Sequence, residues 1–297
     1  MPKENIIPIR GYLLHLTHYD PLWYRRKSRE SPIDLNLALE IIDSLAELGF
    51  NLLIIDCADA VRYKSHPELM RRYSISRATL RRLVMRAQVN DIEVVPKLNF
   101  SQSRYYKHNC WLRPYDMNFD TEQYWRIAFE LIDELIAICR PKHYFHIGMD
   151  EDHERAIAQY IKAILRLRHG LRQRSLRTII WNDSPHRGFA KVHARKSIAA
   201  EKKVPKDIVQ IIWDYGKVPP KHIQRLVEEG FEVWGAPGWS AQHAFNWKQA
   251  ILRYGGKGLI MTRWIPCRRS NRSKLLQLIG TAGPIFSAKY MSAAESL

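Results

Sequence analysis

Cysteine is scarce. The 297 residues contain four, Cys57, Cys110, Cys139 and Cys267, and none stand in a C-x-x-C pair. That spacing argues against a thiolate zinc site, so the four are expected to be reduced thiols, some of them buried. Long apolar runs are missing as well. None approaches the roughly 20 residues that a bilayer span needs, so no membrane partner is expected. Met1 to Arg10 holds no apolar signal-peptide core, which makes this form of the chain an expected cytoplasmic protein. Acidic residues are outnumbered, 30 against 47 basic ones, for a net charge of +17. An excess of that size raises nucleic acid or an anionic surface as a partner. Two sequence motifs are absent. No G-x-G-x-x-G or Walker-type loop follows the first strand, and no G-x-S-x-G elbow occurs. Nucleotide-binding doubly wound sheets and α/β serine hydrolases therefore have no support.

What is present is a core and a rhythm. Hydrophobic residues make up 46% of the chain, enough for a sizeable interior. Val/Ile/Leu-rich runs stand at Tyr12–Thr17, Asn51–Asp56, Glu93–Leu98, His143–Gly148, Thr178–Trp181, Val209–Trp213, Glu232–Gly235 and Gly258–Thr262. Such runs suit strands buried on both faces. Amphipathic stretches separate them, at Asp34–Leu48, Ser76–Asn90, Thr121–Cys139, Glu154–His169, Pro219–Glu229, Ala241–Arg253 and Asn271–Gly283, with a weaker helical pattern at Phe189–Lys202. Eight repeated βα units imply a parallel sheet, and in fewer than 300 residues they imply an α/β fold of the (β/α)8 TIM barrel type. Residues 1–297 read as one such barrel, without a linker or a second domain. An open doubly wound sheet is the rival. The long segments Cys57–Ile75 and Asn99–Asp120 follow strands two and three, on the face where barrels build their sites.

The chemistry collects at strand ends. After strand four comes HIGMDED, residues 146–152. Adjacent carboxylates raise one another's pKa, which suits a general acid that must stay protonated near neutral pH. The plainer reading is an acidic N-terminus for the next helix. Trp181, Trp213 and Trp264 close strands five, six and eight, and Trp239 follows strand seven. Four tryptophans around one mouth can stack on the apolar faces of a sugar. Asp56, Asp59, Asn182, Asp183, Asp214 and Tyr215 also stand at strand ends, with Arg10 and His18 flanking strand one. Carboxylates between aromatic walls are the usual lining of a glycoside-processing site. His15, His18 and Asp20, and His146, Asp150 and His153, have metal-like spacing, but no catalytic metal or other cofactor is expected.

These residues resemble glycoside hydrolase family 20, the β-N-acetylhexosaminidases. YFHIGMDED is similar to the family's H-x-G-G-D-E signature. IRGYLL, LAELGFNLLIIDCAD, IIWND, IVQIIWD, GFEVWGAPGWS and GLIMTRW resemble other family segments, in the same order. The resemblance implies a retaining mechanism in which the substrate's 2-acetamido oxygen attacks its own anomeric carbon. Glu151 is then the general acid and base, Asp150 orients the acetamido N–H, and His146 supports the carboxylates. It further implies that Arg10 binds sugar hydroxyls, that Asp59 is sugar-proximal, and that Trp181, Trp213 and Trp264 wall the pocket.

The chain departs from the pattern in three places. Met149 replaces a glycine and is expected to narrow the pocket. No tyrosine stands in APGWSAQ after strand seven, so Tyr215 or Ser240 is the candidate substitute. Pro266 replaces an acidic residue. These changes keep an alternative open, a non-catalytic or altered-specificity barrel that binds carbohydrate or polyanion. Most basic clusters fall on the outer faces of helices, so nucleic acid is not the expected partner. Arg268, Arg269 and Arg272 follow strand eight and have a route to the mouth, where they could meet an anionic sugar.

Overall fold

The computed structural model describes residues 6–16, 31–103, 111–186 and 191–287. His18, Asp20, Arg25–Arg29 and Cys110 lie outside them. Eight strands, β1 (Ile9–His15), β2 (Leu52–Asp56), β3 (Glu93–Lys97), β4 (Tyr144–His146), β5 (Arg177–Asn182), β6 (Val209–Trp213), β7 (Val233–Ala236) and β8 (Gly258–Met261), close into a barrel in sequence order. All neighbouring pairs are parallel, and β1 pairs with β8. The helices that follow are α1 (Leu35–Glu47), α2 (Arg77–Val89), α3 (Glu122–Cys139), α4 (Ile157–Gln173), α5 (Lys191–Glu201), α6 (Pro220–Glu228), α7 (Ala241–Arg253) and α8 (Arg272–Phe286). The fold is the expected (β/α)8 barrel.

Sequence chemistry explains the helix starts. Asp34, Ser76, Thr121 and Ser240 each accept a backbone N–H three residues on, at the head of α1, α2, α3 and α7. Each such cap contributes about 1 kcal/mol. Side chains alternate along the strands. Leu13, Ile54, Val95, Ile179, Ile211 and Ile260 fill the barrel, while Leu14, Ile55, Val94, Ile180, Ile212 and Leu259 pack under the helices. Outside, arginines tie neighbouring helices together. Arg86 pairs with Asp43, Arg166 with Glu122, Arg168 with Asp207, Arg174 with Asp133 and Arg272 with Glu40. Arg272 is therefore spent on α1 and does not serve the mouth. Among the described residues, no helix is long and apolar enough to cross a membrane.

Strand β1 begins three residues earlier than the apolar run suggests. Ile9 pairs with Gly258, and the Asn51 side chain accepts the Arg10 N–H at 2.9 Å. Arg10 consequently sits near the N-terminal rim of the barrel, five residues before the strand's C-terminal end. Its Nε donates to Gly49 O at 2.7 Å and its Nη1 to Ile7 O at 2.7 Å. This corrects the expectation that Arg10 binds sugar. Its guanidinium caps carbonyls at the opposite end from the strand-end carboxylates. Arg10→Ala is expected to cost about 1–3 kcal/mol of stability, the usual range for hydrogen bonds to a charged group. Binding of an N-acetylhexosamine at the strand-end carboxylates is expected to stay within twofold, and a tenfold weaker affinity would put Arg10 back in the pocket.

Candidate active site

One register row crosses four strands just inside the C-terminal mouth, linking His15 to Asp56, Asp56 to Lys97 and Lys97 to His146. All four side chains are buried. Lys97 Nζ donates to Asp56 Oδ2 at 3.0 Å, and His15 Nδ1 lies 3.2 Å from the same oxygen. Burial pushes the Asp56 carboxyl up, but Lys97 and His15 outweigh it and hold it well below the usual range. Burial and Lys97 push His146 well down, so its ring is neutral. Its Nδ1 accepts the Gly148 N–H at 2.9 Å, which places the ring proton on Nε2.

Strand β4 stops at His146, two residues short of the expected end, because the chain turns sharply there. Gly148, Met149 and Glu151 all take left-handed backbone angles, with φ of +71°, +74° and +51°. Two of the three are not glycine, so the turn stores strain that its surroundings must hold. Asn99 does much of that work. Its Oδ1 accepts the Met149 N–H at 3.1 Å and its Nδ2 donates to Asp150 Oδ1 at 2.8 Å. Trp181 N–H donates to Gly148 O, and the Tyr160 hydroxyl donates to Met149 O at 2.8 Å. Asp183 Oδ2 accepts the Glu151 N–H at 2.8 Å, and Asp183 Oδ1 accepts Trp213 Nε1–H at 2.9 Å.

Three consecutive acids leave this turn, and their surroundings separate them. Asp152 is neutralised by Arg155 Nη1 at 2.8 Å and Lys196 Nζ at 3.0 Å, and its carboxyl is held low despite burial. Asp150 and Glu151 have no cation bonded to them among the described residues. Burial raises Asp150, with Lys97 and the Asn99 bond opposing. Glu151 is pushed up to about 8, by burial first and then by Asp150 and Asp183. Asp183 is also raised to about 8, by burial and then by Asp150. Three carboxyls so crowded do not all ionise at neutral pH. Asp183 accepts two hydrogen bonds, whereas Asp150 combines the Asn99 bond with the field of Lys97, so the two are held by different partners.

Aromatic rings enclose the turn. The Trp181 ring lies 4.8 Å from His146 and 5.9 Å from Trp264, which in turn lies 4.8 Å from His15. Trp264 Nε1 donates to the Tyr215 hydroxyl at 2.5 Å. Tyr215 packs on Trp213 at 5.4 Å and stacks on Trp239 at 5.6 Å. The four expected tryptophans thus belong to one aromatic chain, with Trp181 fully buried as its floor and Trp239, 46% exposed, as its rim.

The remaining sequence readings divide. Of the two candidates to replace the absent tyrosine, Ser240 caps α7 through the His243 N–H. Burial raises the Tyr215 hydroxyl well above its ordinary value, with Asp150 and Glu151 adding to the rise and the bonds to Thr262 and Trp264 opposing it. Met149 does not narrow a pocket. It is fully buried in the layer between barrel and helices. Asp59 is buried in the turn after β2, where it accepts the Tyr73 hydroxyl at 2.7 Å and lies 3.7 Å from Arg71 Nε. His153 lies against His193 at 4.1 Å and Ser103 at 2.9 Å. No three metal-binding side chains converge among the described residues. Sequence reasoning names Asp56 and Asp183 as strand-end carboxylates but assigns no site role to Asn99 or Lys97. Asp183 has a signal, since it follows the strand that ends in Trp181 and Asn182.

No family model and no curated protein matches this sequence. Solved structures do resemble it. An N-acetyl-β-hexosaminidase of Streptomyces plicatus, in complex with Thio-NAglucal, superposes with a TM-score of 0.71 at 13% identity, over 98% of this chain and 65% of its own. The family 20 β-N-acetylhexosaminidase of Streptomyces coelicolor gives 0.71 at 14% identity, over 98% and 66%. The exo-β-N-acetylglucosaminidase of Vibrio harveyi, in complex with N-acetylglucosamine, gives 0.65 at 14%, over 95% and 54%. The chain spans less than two thirds of the length of these proteins. Its fold is that of the family 20 β-hexosaminidase barrels.

Proposed function

We propose that the chain is a retaining glycoside hydrolase acting on β-linked 2-acetamido-2-deoxy-hexosides. The observation that carries the reading is the carboxyl pair in the β4 turn. Burial and its acidic neighbours push Glu151 up to about 8, while the rise that burial gives Asp150 is opposed by Lys97 and by the Asn99 hydrogen bond. Two carboxyls with environments that separate their protonation suit one acid role and one anionic role. The resemblance to family 20 and the likeness to solved hexosaminidases supply the substrate class.

In this mechanism Glu151 gives its proton to the leaving glycosidic oxygen as the C1–O bond breaks. The substrate's acetamido oxygen forms the new bond to C1, giving an oxazoline-type ring. Asp150 accepts a hydrogen bond from the acetamido N–H and so favours the charge that develops on that group. The Tyr215 hydroxyl, fixed by Trp264, supports the acetamido oxygen in place of the tyrosine missing after β7. Glu151, now a carboxylate, then takes a proton from water, whose oxygen attacks C1 and reopens the ring. No protein nucleophile is required, which sets this scheme apart from the two-carboxylate hydrolases.

The test compares two aryl β-glycosides that differ only at C2, one with an acetamido group and one with a hydroxyl. Only the acetamido substrate is expected to turn over, and Asp150→Asn is expected to lower its kcat by roughly 10²–10³-fold, the cost of removing one transition-state hydrogen-bonding group. Equal turnover of the two substrates would refute the role of the acetamido oxygen.

A further inference from the structure

Two cations near the mouth have no carboxylate partner among the described residues. Arg263 stands two residues past β8, with its guanidinium carbon 4.3 Å from the centre of the Trp239 ring. Its Nε is buried and makes no hydrogen bond there. Lys274 is exposed in the first turn of α8. Both line one hollow of about 210 Å³, together with Trp239, Gln277, Leu278 and Thr281, and no acidic side chain faces it. Several arginines on the outer helices pair with acids of the preceding helix, whereas these two cations face one hollow with no acid in its lining.

The hollow is joined to the candidate site by one ring. Trp239 carries the Arg263 guanidinium and also stacks on Tyr215, at 5.6 Å and 26°. Its volume is below the roughly 300 Å³ at which ordinary ligand pockets begin, so it suits one charged unit of a longer ligand. A guanidinium fork beside an ammonium fits the oxygens of a carboxylate or a sulfate ester.

We propose that this hollow is a subsite for an anionic group, a carboxylate or a sulfate ester, on the sugar next to the one being cleaved. The proposal rests on the hydrolase reading above. It also moves the expected anion contact from Arg268–Arg272 to Arg263 and Lys274.

The experiment uses uncleavable thio-linked disaccharides, measured by calorimetry on the full chain. An N-acetylhexosamine is joined to glucose, to glucuronic acid or to 6-sulfated glucose. At least one anionic ligand is expected to bind roughly tenfold more tightly than the neutral one, the effect of one or two charge-assisted hydrogen bonds. The uronate and sulfate arms say which group is taken. The advantage is expected to shrink with added salt. It is expected to vanish in Arg263→Met/Lys274→Met, with affinity for the neutral ligand held within twofold. Should that double variant not fold, Lys274→Met alone, at an exposed position, is expected to remove part of the advantage. Equal affinities for all three ligands in the unaltered protein overturn the subsite, as does an advantage that survives both substitutions. The oxygen-linked counterparts separate this failure from that of the catalytic reading. Hydrolysis of all three with equal affinities sinks the subsite alone. An intact anionic advantage with hydrolysis of none sinks the catalytic reading alone, and binding of none sinks both.

Discussion

Glu151→Gln is expected to lower kcat/KM on an aryl 2-acetamido-2-deoxy-β-glycoside by roughly 10²–10⁴-fold, the range that a positioned general acid contributes. The unaltered protein should lose activity as pH rises through about 8, because Glu151 is raised to about that value and its acid form is the active one. An aryl leaving group that needs no protonation should recover part of the loss in the variant, which a merely structural role for Glu151 would not produce. Unchanged turnover in Glu151→Gln would end the assignment.

The same substitution carries a stability signature of fixed sign. Glu151 ordinarily titrates near 4.5 and here is pushed up to about 8, by burial first and then by Asp150 and Asp183. Between those values the folded chain holds a proton that the unfolded chain has lost. Stability contributed by the protonated carboxyl is therefore full at low pH and falls as pH rises across that window. The amide of the substituted side chain has no such proton to lose. The melting temperature of Glu151→Gln relative to the unaltered protein is expected to climb from pH 5 to pH 9. A site tuned for acid chemistry would thus gain stability at alkaline pH when that chemistry is removed, the usual trade at an active site. A flat difference across this range would mean that the carboxyl is not held protonated.

The barrel is legible in the sequence because its signals are local. Each strand is a short Val/Ile/Leu run, and Asp34, Ser76, Thr121 and Ser240 announce four helices with their caps. The carboxyl pair is legible too, since Asp150 and Glu151 are adjacent in sequence. What supports the pair is not. Asn99 reaches Asp150 across 51 positions and Asp183 reaches Glu151 across 32, and no local pattern reports such meetings. Arg10 is misplaced by sequence reasoning because an apolar run does not fix where a strand starts. The pairing of Ile9 with Gly258 does, and it carries Arg10 to the far rim. Met149 is misread for a related reason. Side-chain direction follows backbone angle, and after Gly148 that angle is left-handed, so Met149 turns into the helix layer. Part of the basic complement is neutralised on the outer helices, where arginines of one helix meet acids of the preceding one.

Gly148→Ala is the second large effect, and it tests how the turn is held. At Gly148 φ is +71°, and an added Cβ would lie 2.2 Å from Asn99 Oδ1 and 2.6 Å from Asn99 Cα. A left-handed non-glycine residue costs about 1–2 kcal/mol, and overpacking a close contact adds about 1–3 kcal/mol. The melting temperature is expected to fall by several degrees. Gly49→Ala separates the two costs, because Gly49 has φ of +76° with nothing within 4 Å of the added Cβ. It should show only the backbone part and keep full activity. Gly148→Ala should lose activity as well, because the Cβ pushes on the amide that donates to Asp150 Oδ1. If the loss runs through Asn99, then Asn99→Ala alone should lower kcat by a similar factor. The double variant should then lose little more than either single one, since residues acting through one contact are not additive. Losses that multiply in the double variant would show that Gly148 and Asn99 support Asp150 by separate routes.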